Sequence, residues 1–353
     1  MEPFVYQAQS QRVVFGSGTI AAVCEEVNRL GCSRVLVLST PQQEESAATV
    51  ARGLGKLRVG TFAKAAMHTP NEVTERALRL VAQLKADSIV SLGGGSTTGL
   101  GKAIALRTEL PQIVVPTTYA GSEATPILGE TQDGRKTTMR SASVLPEVIV
   151  YDVELTMSLP IALSVTSGLN AIAHAVEARY ARERNPVISL LALEGTRALA
   201  SALPLIVANP RDRDARSDAL YGAWACGTCL GAVGMALHHK ICHVLGGTFN
   251  LPHAETHAVV LPHAVAYNEP ATAALLRPLA DVLGATNTAL GLFDLATRLG
   301  APKTLAEIGM PHDGIAAAAD EIAASPYWNP RPVEREGVLH LLEDAFAGRR
   351  PAS

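Results

Sequence analysis

The sequence is poor in cysteine and aromatic residues: 5 of its 353 residues are Cys, and Phe, Trp and Tyr together make up 4%. An odd number of scattered cysteines is not a disulfide framework, so we expect free thiols and a reducing compartment. Cys226 and Cys229 form a C-x-x-C pair, but they lie in an apolar run rich in Ala and Gly, without a second Cys pair nearby. This setting favours buried helix residues over a zinc or redox motif.

The chain also has little net charge, −3 by formal count. Nucleic-acid-binding domains usually carry a basic patch and a high pI, so no nucleic-acid partner is expected. Every apolar stretch long enough to cross a bilayer is interrupted by Gly, His or charged residues, and residues 1–15 lack the basic and apolar regions of a signal peptide. These absences predict a cytoplasmic protein without a membrane partner.

The character of the sequence changes near its middle. In the first half, short β-type runs such as Arg34 to Leu38 and Asp87 to Leu92 alternate with helical patterns, which predicts a parallel sheet with helices on both faces. The second half is rich in Ala and Leu and shows mainly helical patterns, including one long run from Asp214 to His239. Because single cores stop growing at about 250–300 residues, we expect two domains, an α/β domain over 1–158 and an all-helical domain over 159–353.

A glycine-rich turn directly follows one predicted strand. Gly93, Gly94 and Gly95 are followed by Ser96 and a helical pattern. Glycine lets the backbone approach a ligand closely, and the free N–H groups at the start of a helix attract anions. The spacing matches neither the G-x-G-x-x-G fingerprint nor the P-loop. The turn therefore predicts a cradle for the pyrophosphate of a dinucleotide, with a purely structural tight turn as the alternative.

A second turn follows the next predicted strand and contains Thr117, Thr118 and Ser122. Ligands of open α/β sheets bind outside the carboxyl ends of the strands, where both turns are expected to lie. The three hydroxyl groups suit contacts with phosphate or ribose. Two such turns on one sheet indicate a dinucleotide site more strongly than either turn alone.

Histidines are concentrated in the helical half at helical spacing. His174 follows Asn170 by four residues, His243 follows His239 by four, and His253 comes shortly after. Residues four apart share one face of a helix. Several histidines so placed in an otherwise apolar region indicate metal ligation or proton transfer.

In combination and in order, these motifs resemble the iron-containing (group III) alcohol dehydrogenase family along nearly the whole chain. The matching segments are an early FGSG, the GGGS turn, the PTT segment of the second turn and an H-x3-H-x9-H run. The resemblance implies a dehydroquinate synthase-like fold, with an α/β NAD(P)-binding domain, an all-helical domain and the active site in the cleft between them. It also implies that Lys136 lies near the cofactor ribose.

In that family an Asp and three His residues hold Fe²⁺ or Zn²⁺. The matching positions here are Asn170, His174, His239 and His253, so a neutral amide replaces the carboxylate. An amide is a poorer ligand for a hard divalent cation, and we expect no bound metal. Gly99 also stands where the family usually has an Asp.

The end of the first strand of the α/β fold also departs from the family. Ser39 and Thr40 lie where family members often carry an Asp that selects NADH by holding the ribose hydroxyls. Without that carboxylate a 2′-phosphate is tolerated. We therefore expect the cofactor to be NADH or NADPH.

These departures, together with residues 133–138 (DGRKTT) and 327–333 (YWNPRPV), resemble the subgroup of the family that reduces maleylacetate to 3-oxoadipate in aromatic-compound catabolism. The resemblance implies an enzyme that transfers hydride from NAD(P)H to a conjugated C=C bond, works without added metal and forms a homodimer. Its substrate is a small dicarboxylate.

Hydride addition to such a substrate develops negative charge on the keto oxygen. We assign stabilisation of that charge and proton delivery to His243 and His253, with His174 and His239 completing the pocket. Tyr119 is a candidate hydrogen-bond donor to substrate or the nicotinamide ribose. Candidates for binding the substrate carboxylates are Lys136, Arg140, Lys240 and Arg331.

Three other functions stay open at this point. A metal-dependent Fe or Zn alcohol or polyol dehydrogenase would need to tolerate Asn as a ligand. A lyase of the dehydroquinate synthase type needs a fuller metal site and a denser basic pocket than the sequence shows. A non-catalytic binding module agrees poorly with a chain that keeps both the glycine turn and the histidines.

Overall fold

The computed structural model describes residues 3–132, 135–324 and 327–351, except for the side chains of residues 135 and 136. The chain divides into two compact units. One consists of Gln9–Leu159, and the other of Pro160–Ser353 together with Met1–Ala8.

The first unit is built on a parallel sheet. Its strands are β1 (Arg12–Gly16), β2 (Val35–Leu38), β3 (Arg58–Phe62), β4 (Ser88–Gly93), β5 (Gln112–Pro116), β6 (Ile127–Gln132), β7 (Arg135–Arg140) and β8 (Val148–Asp152). Six of them form the sheet in the order β1, β8, β5, β4, β2, β3, with every neighbouring pair parallel. The strands β6 and β7 pair separately as an antiparallel hairpin.

Helices cover both faces of this sheet. They are α1 (Val23–Arg29), α2 (Glu44–Leu54), α3 (Asn71–Leu84) and α4 (Gly95–Thr108). Successive side chains of a strand point to opposite faces. On β2, Val35 and Val37 therefore pack with α1 and α2, whereas Leu36 and Leu38 pack with α3 and α4. Burial of both faces explains why the inner strands are continuous apolar runs.

The second unit is all-helical. Its helices are α5 (Ile161–Tyr180), α6 (Pro186–Ala208), α7 (Arg213–Ala232), α8 (Leu237–Phe249), α9 (His253–Leu283), α10 (Thr288–Arg298), α11 (Gly314–Ala324) and α12 (Arg335–Ala347). The predicted fold class, an α/β sheet domain followed by a helical region, is confirmed. Nearly every residue of α5 from Ser164 to Tyr180 is buried, as expected for a central helix.

The prediction of a single helix from Asp214 to His239 is wrong. The chain leaves α7 after Ala232 and enters α8 at Leu237, with a bend of 95°. Two carboxylates accept hydrogen bonds from the backbone of this turn: Glu183 Oε2 from Gly234 N at 3.0 Å, and the buried Glu177 Oε2 from Ala236 N at 2.8 Å. These hydrogen bonds fix the direction in which α8 begins and therefore the positions of its histidines.

Close packing of α6 against α7 accounts for the C-x-x-C pair. A Cβ on Gly195 would lie 2.7 Å from Cys226 Sγ, and Cys229 is equally buried. Burial raises the pKa of Cys226 well above its ordinary value and that of Cys229 to about 12. Both residues are therefore neutral apolar packing groups.

Within the described ranges, α6 is the one single helix whose length and composition would allow it to cross a membrane. It packs against α5 and α7 and carries an ion pair between Arg197 and Glu194 at 2.6 Å. These features are also those of a core helix in a helical bundle.

Candidate active site

The predicted dinucleotide-binding residues that follow β2, β4 and β5 lie at the carboxyl ends of these strands. From β2 the chain moves outward to β3 and then returns to the other side of β2 to form β4, so the topological switch point lies between β2 and β4. Open α/β sheets bind ligands at such a point, outside the carboxyl ends of the strands. Ser39 and Thr40 follow β2, the glycine turn follows β4, and Thr117 and Thr118 follow β5.

Contacts between these loops hold them together. Thr117 N donates to Gly93 O at 3.2 Å, and Gln43 Nε2 donates to Thr117 Oγ1 at 2.5 Å. A Cβ on Gly94 would lie 2.9 Å from Thr118 Oγ1, so glycine is required there for close packing. Gly95, at the start of α4, is exposed, and a Cβ on it would meet nothing within 4 Å.

Three buried hydroxyl groups near these strand ends have no hydrogen-bond partner within the described part of the chain. They belong to Ser39 after β2 and to Thr97 and Thr98 in the first turn of α4. Buried polar atoms are normally satisfied, so such a group suggests a missing partner. Together with the start of α4 they fit the pyrophosphate and ribose of a dinucleotide.

Gly99, where the family usually has Asp, is explained by its neighbour Thr69. A Cβ on Gly99 would lie 2.3 Å from Thr69 Oγ1. His68 and Thr69 both have positive φ, 63° and 48°, so this segment follows an unusual path that brings the threonine onto α4. A larger residue at 99 would displace it.

A buried lysine supports the second turn. Lys102 Nζ donates to the carbonyl oxygens of Ser122 (2.6 Å), Thr125 (2.8 Å) and Ile127 (2.8 Å), and lies 2.9 Å from Thr125 Oγ1. Ser122 thus contributes its carbonyl to the protein's own structure, and a cofactor contact of its hydroxyl stays a prediction. This structural role of Lys102 was not predicted from the sequence.

The remaining predictions in this unit stay untested. Lys136 lies on β7, but its side chain is outside the described residues. Arg140 is exposed at the end of β7. Tyr119 is fully buried, at 0% exposure, so contact with a ligand would require neighbouring side chains to move.

The helical unit brings the predicted histidines together. His174 comes from α5, His239 and His243 from α8, and His253 from the start of α9. His174 Nδ1 and His239 Nε2 are 2.9 Å apart, a hydrogen bond between two buried rings. The ring of His243 lies 6.3 Å from that of His239. His243 and His253 are only partly buried, as a group that exchanges protons with a ligand must be.

The group that orients this pair was not predicted from the sequence. Glu177, fully buried on α5, accepts a hydrogen bond from His239 Nδ1 at its Oε2, 2.7 Å away. The same carboxylate accepts from the backbone N of Ala236 and His238, both at 2.8 Å, at the start of α8. A helix N-terminus stabilises an anion. Glu177, His239 and His174 therefore form a continuous hydrogen-bonded chain.

Two further histidines, His238 and His257, lie in the same cluster. His238 Nε2 and His257 Nδ1 are 2.9 Å apart. The ring of His257 is 4.4 Å from that of His253 and 5.1 Å from that of His239. Burial, reinforced by the charge that neighbouring histidines can carry, lowers the pKa of both residues well below its ordinary value. They are neutral components of the pocket wall.

The donor set at the family's metal positions does not match the one that the family uses. Asn170, buried on α5, offers an amide in place of a carboxylate. Three imidazoles and an amide are a poor set for hard Fe²⁺.

Arg331, a candidate for carboxylate binding, already has partners within the protein. It lies over the ring of Tyr267, 4.4 Å from the centroid, and donates to Tyr267 O at 2.9 Å. It therefore anchors the segment around residue 331 to α9. Lys240 is partly buried on α8, and its predicted role is untested.

The parallel sheet with its glycine turn and the histidine-bearing helical unit are the two parts of an iron-containing alcohol dehydrogenase fold. Comparison of the sequence with family models agrees. Residues 10–153 match the model "Iron-containing alcohol dehydrogenase", and residues 164–346 match "Fe-containing alcohol dehydrogenase family, C-terminal". The chain belongs to the iron-containing alcohol dehydrogenase family, as predicted, and is an oxidoreductase.

Within that family the chain is similar to maleylacetate reductases. It is 58% identical over 351 residues to the enzyme of Rhizobium sp. (strain MTP-10005), covering 99% of this chain and 100% of that one. It is 54% identical over 352 residues to that of Burkholderia cepacia, covering 100% of both. The crystal structure of maleylacetate reductase from Agrobacterium tumefaciens superposes with a TM-score of 0.96 at 59% identity, covering 99% and 100% of the two chains.

Proposed function

We propose that this protein is a maleylacetate reductase, which uses NADH or NADPH to reduce the conjugated C=C bond of maleylacetate to 3-oxoadipate without a bound metal. The named relatives support the substrate. The observation that carries the mechanism is the hydrogen-bonded chain Glu177–His239–His174, in which His239 and His174 occupy two of the family's metal-ligand positions.

The proposed chemistry uses the histidines as proton carriers. Bound NAD(P)H would supply a hydride to the alkene carbon β to the ketone. The imidazoles of His243 and His253 donate hydrogen bonds to the keto oxygen, on which an enolate develops, and one of them, as imidazolium, gives its proton to the carbon α to the ketone and becomes neutral. Glu177 holds a compensating negative charge near the pair His239–His174. A conjugated enone carries part of its own activation, so hydrogen bonds suffice where a simple ketone would need a cation.

The proposal is tested by following NADH absorbance with maleylacetate, with and without EDTA. We expect turnover that EDTA does not change. Turnover of a primary alcohol with Fe²⁺ or Zn²⁺, and none of maleylacetate, would instead establish the alternative, a metal-dependent alcohol dehydrogenase. With NADPH in place of NADH we also expect turnover, because no carboxylate at Ser39 or Thr40 repels a 2′-phosphate.

Asn170→Asp should restore the lost carboxylate and raise metal affinity. We expect bound Fe²⁺ to be retained through dialysis in this variant and not in the wild type, measured by elemental analysis. Asn209→Asp, at the end of α6, is the matched control because it adds the same charge in the same unit. Equal metal content in all three proteins would contradict our account of the donor set.

Substitutions of two neighbouring glycines distinguish a role in cofactor binding from a role in packing. Gly95→Ala adds a methyl group that meets no protein atom, so we expect a raised KM for NADH and an unchanged Tm. Gly94→Ala meets Thr118 and should lower Tm as well. The measurements are initial rates and thermal unfolding. If the KM for NADH in Gly95→Ala equals that of the wild type, the cofactor does not bind at this turn.

We further propose that the enzyme acts as a cytoplasmic homodimer with a small dicarboxylate as its ligand and no nucleic-acid or membrane partner. Arg140 and Lys240 are retained as candidates for the substrate carboxylates. Sedimentation analysis of the purified protein tests the oligomeric state, and a monomer would reject that part of the proposal.

A further inference from the structure

A second group of metal-ligating side chains lies beside the family's ligand positions. His238, Cys242 and His257 are 98–100% buried, and one donor atom from each lies within 4.8 Å of the other two. His238 Nε2 is 2.9 Å from His257 Nδ1 and 3.8 Å from Cys242 Sγ. His238 precedes His239 directly, and His257 follows His253 by one helical turn.

The ring nitrogens of His238 and His257 that do not face each other place no constraint on which nitrogen of each ring carries the proton. His238 Nδ1 and His257 Nε2 are buried and have no hydrogen-bond partner within the described residues. No outside group therefore fixes which nitrogen of each ring carries the proton. Both protons can lie on the outward nitrogens without breaking another hydrogen bond, and the two facing nitrogens then present lone pairs to a common point.

The spacing suits a small tetrahedral cation. Zinc bonds of about 2.0–2.1 Å to nitrogen and about 2.3 Å to sulfur require N···N near 3.3 Å and N···S near 3.6 Å. The observed N···N of 2.9 Å and N···S of 3.8 Å are close to these values, and the third pair, Cys242 with His257, lies within 4.8 Å. Two imidazoles and a thiol are ligands for soft cations, in contrast to the carboxylate-containing set for iron.

We propose that His238, Cys242 and His257 form a site for one thiophilic cation of the Zn²⁺ or Cd²⁺ class. Binding replaces the Cys242 S–H bond by a metal–sulfur bond and releases that proton to solvent, while the imidazoles stay neutral. The His257 ring is 4.4 Å from that of His253 and 5.1 Å from that of His239, so a cation bound here lies beside the histidines of the pocket.

The test titrates chelator-treated protein with Cd²⁺ and follows the thiolate-to-cadmium absorption together with proton release. We expect one equivalent per chain, with the signal lost in Cys242→Ser and in His257→Asn. Cys24→Ser is the matched control: Cys24 is partly exposed in the other unit, and its removal should leave the titration unchanged. None of these readouts uses maleylacetate, so their failure is distinct from failure of the proposed function.

A measurement on the wild type guards against variants that do not fold. The ¹¹³Cd NMR shift of the one-equivalent complex should fall in the range for one sulfur with nitrogen ligands, and Zn²⁺ should displace the signal. An absorption that persists in Cys242→Ser, a shift without a sulfur contribution, or the absence of stoichiometric binding would each overturn the proposal.

Discussion

Glu177→Gln is expected to lower kcat for maleylacetate reduction by about 10²-fold, the usual range for loss of one acid–base element, with little change in the KM for NADH. In the wild type, Glu177 Oε2 accepts from His239 Nδ1, which leaves His239 Nε2 to face His174. Glutamine has the same shape but no negative charge, so the hydrogen bonds that orient His239 toward His174 are weakened. Steady-state kinetics with both substrates measure the effect.

A split between kcat and KM distinguishes this role from a purely structural one. Glu177→Gln should lower kcat and leave the KM for NADH near its wild-type value. Glu183→Gln is the matched control, because Glu183 accepts a backbone hydrogen bond in the same turn between α7 and α8. It should keep the wild-type kcat. Equal kcat values for both variants would show that Glu177 only holds the turn.

Much of the sheet could be predicted because parallel strands are buried on both faces. The strands β2, β4, β5 and β8 are fully buried and read as short β-branched runs in the sequence. β3 has no such signature: it is an edge strand of sequence RVGTF, mostly half-exposed, and was missed. The β6–β7 hairpin was missed as well, since a two-stranded ribbon has little buried surface to impose a pattern.

The histidine cluster was only half predictable. His174, His239, His243 and His253 follow from helical spacing and from the family resemblance. Glu177 shares a helix face with His174, three residues away, but its partner His239 lies 62 residues further along the chain. Their contact depends on the bend between α7 and α8, where sequence periodicity indicated a continuous helix. A local sequence pattern shows which residues share a face of a helix. Which two helix faces contact each other depends on tertiary packing.

Lys102→Met is expected to destabilise the α/β unit by several kcal/mol, since each buried acceptor left without its donor costs about 1–3 kcal/mol. Methionine fills similar space but leaves the carbonyl oxygens of Ser122, Thr125 and Ile127 without their shared donor. Glu123, buried nearby, loses its positive neighbour. Burial raises the pKa of Glu123, and the charge of Lys102 opposes that rise in the wild type. Chemical denaturation measures the loss, and a raised KM for NADH should accompany it because this segment also carries Thr117.

The pH dependence of stability adds a second, directional readout. Burial lowers the pKa of Lys102 from 10.5 to about 7, against the opposing effect of Glu123. Between those values the unfolded chain binds more protons than the folded one, so this group makes folding more favourable as pH rises. The stability difference between wild type and Lys102→Met should therefore grow above pH 7. Lys64→Met, at an exposed lysine of the same unit, should show neither the loss nor the slope. A Lys102→Met protein as stable as this control would mean that the hydrogen bonds of the Lys102 side-chain nitrogen are dispensable and that packing alone holds the second turn in place.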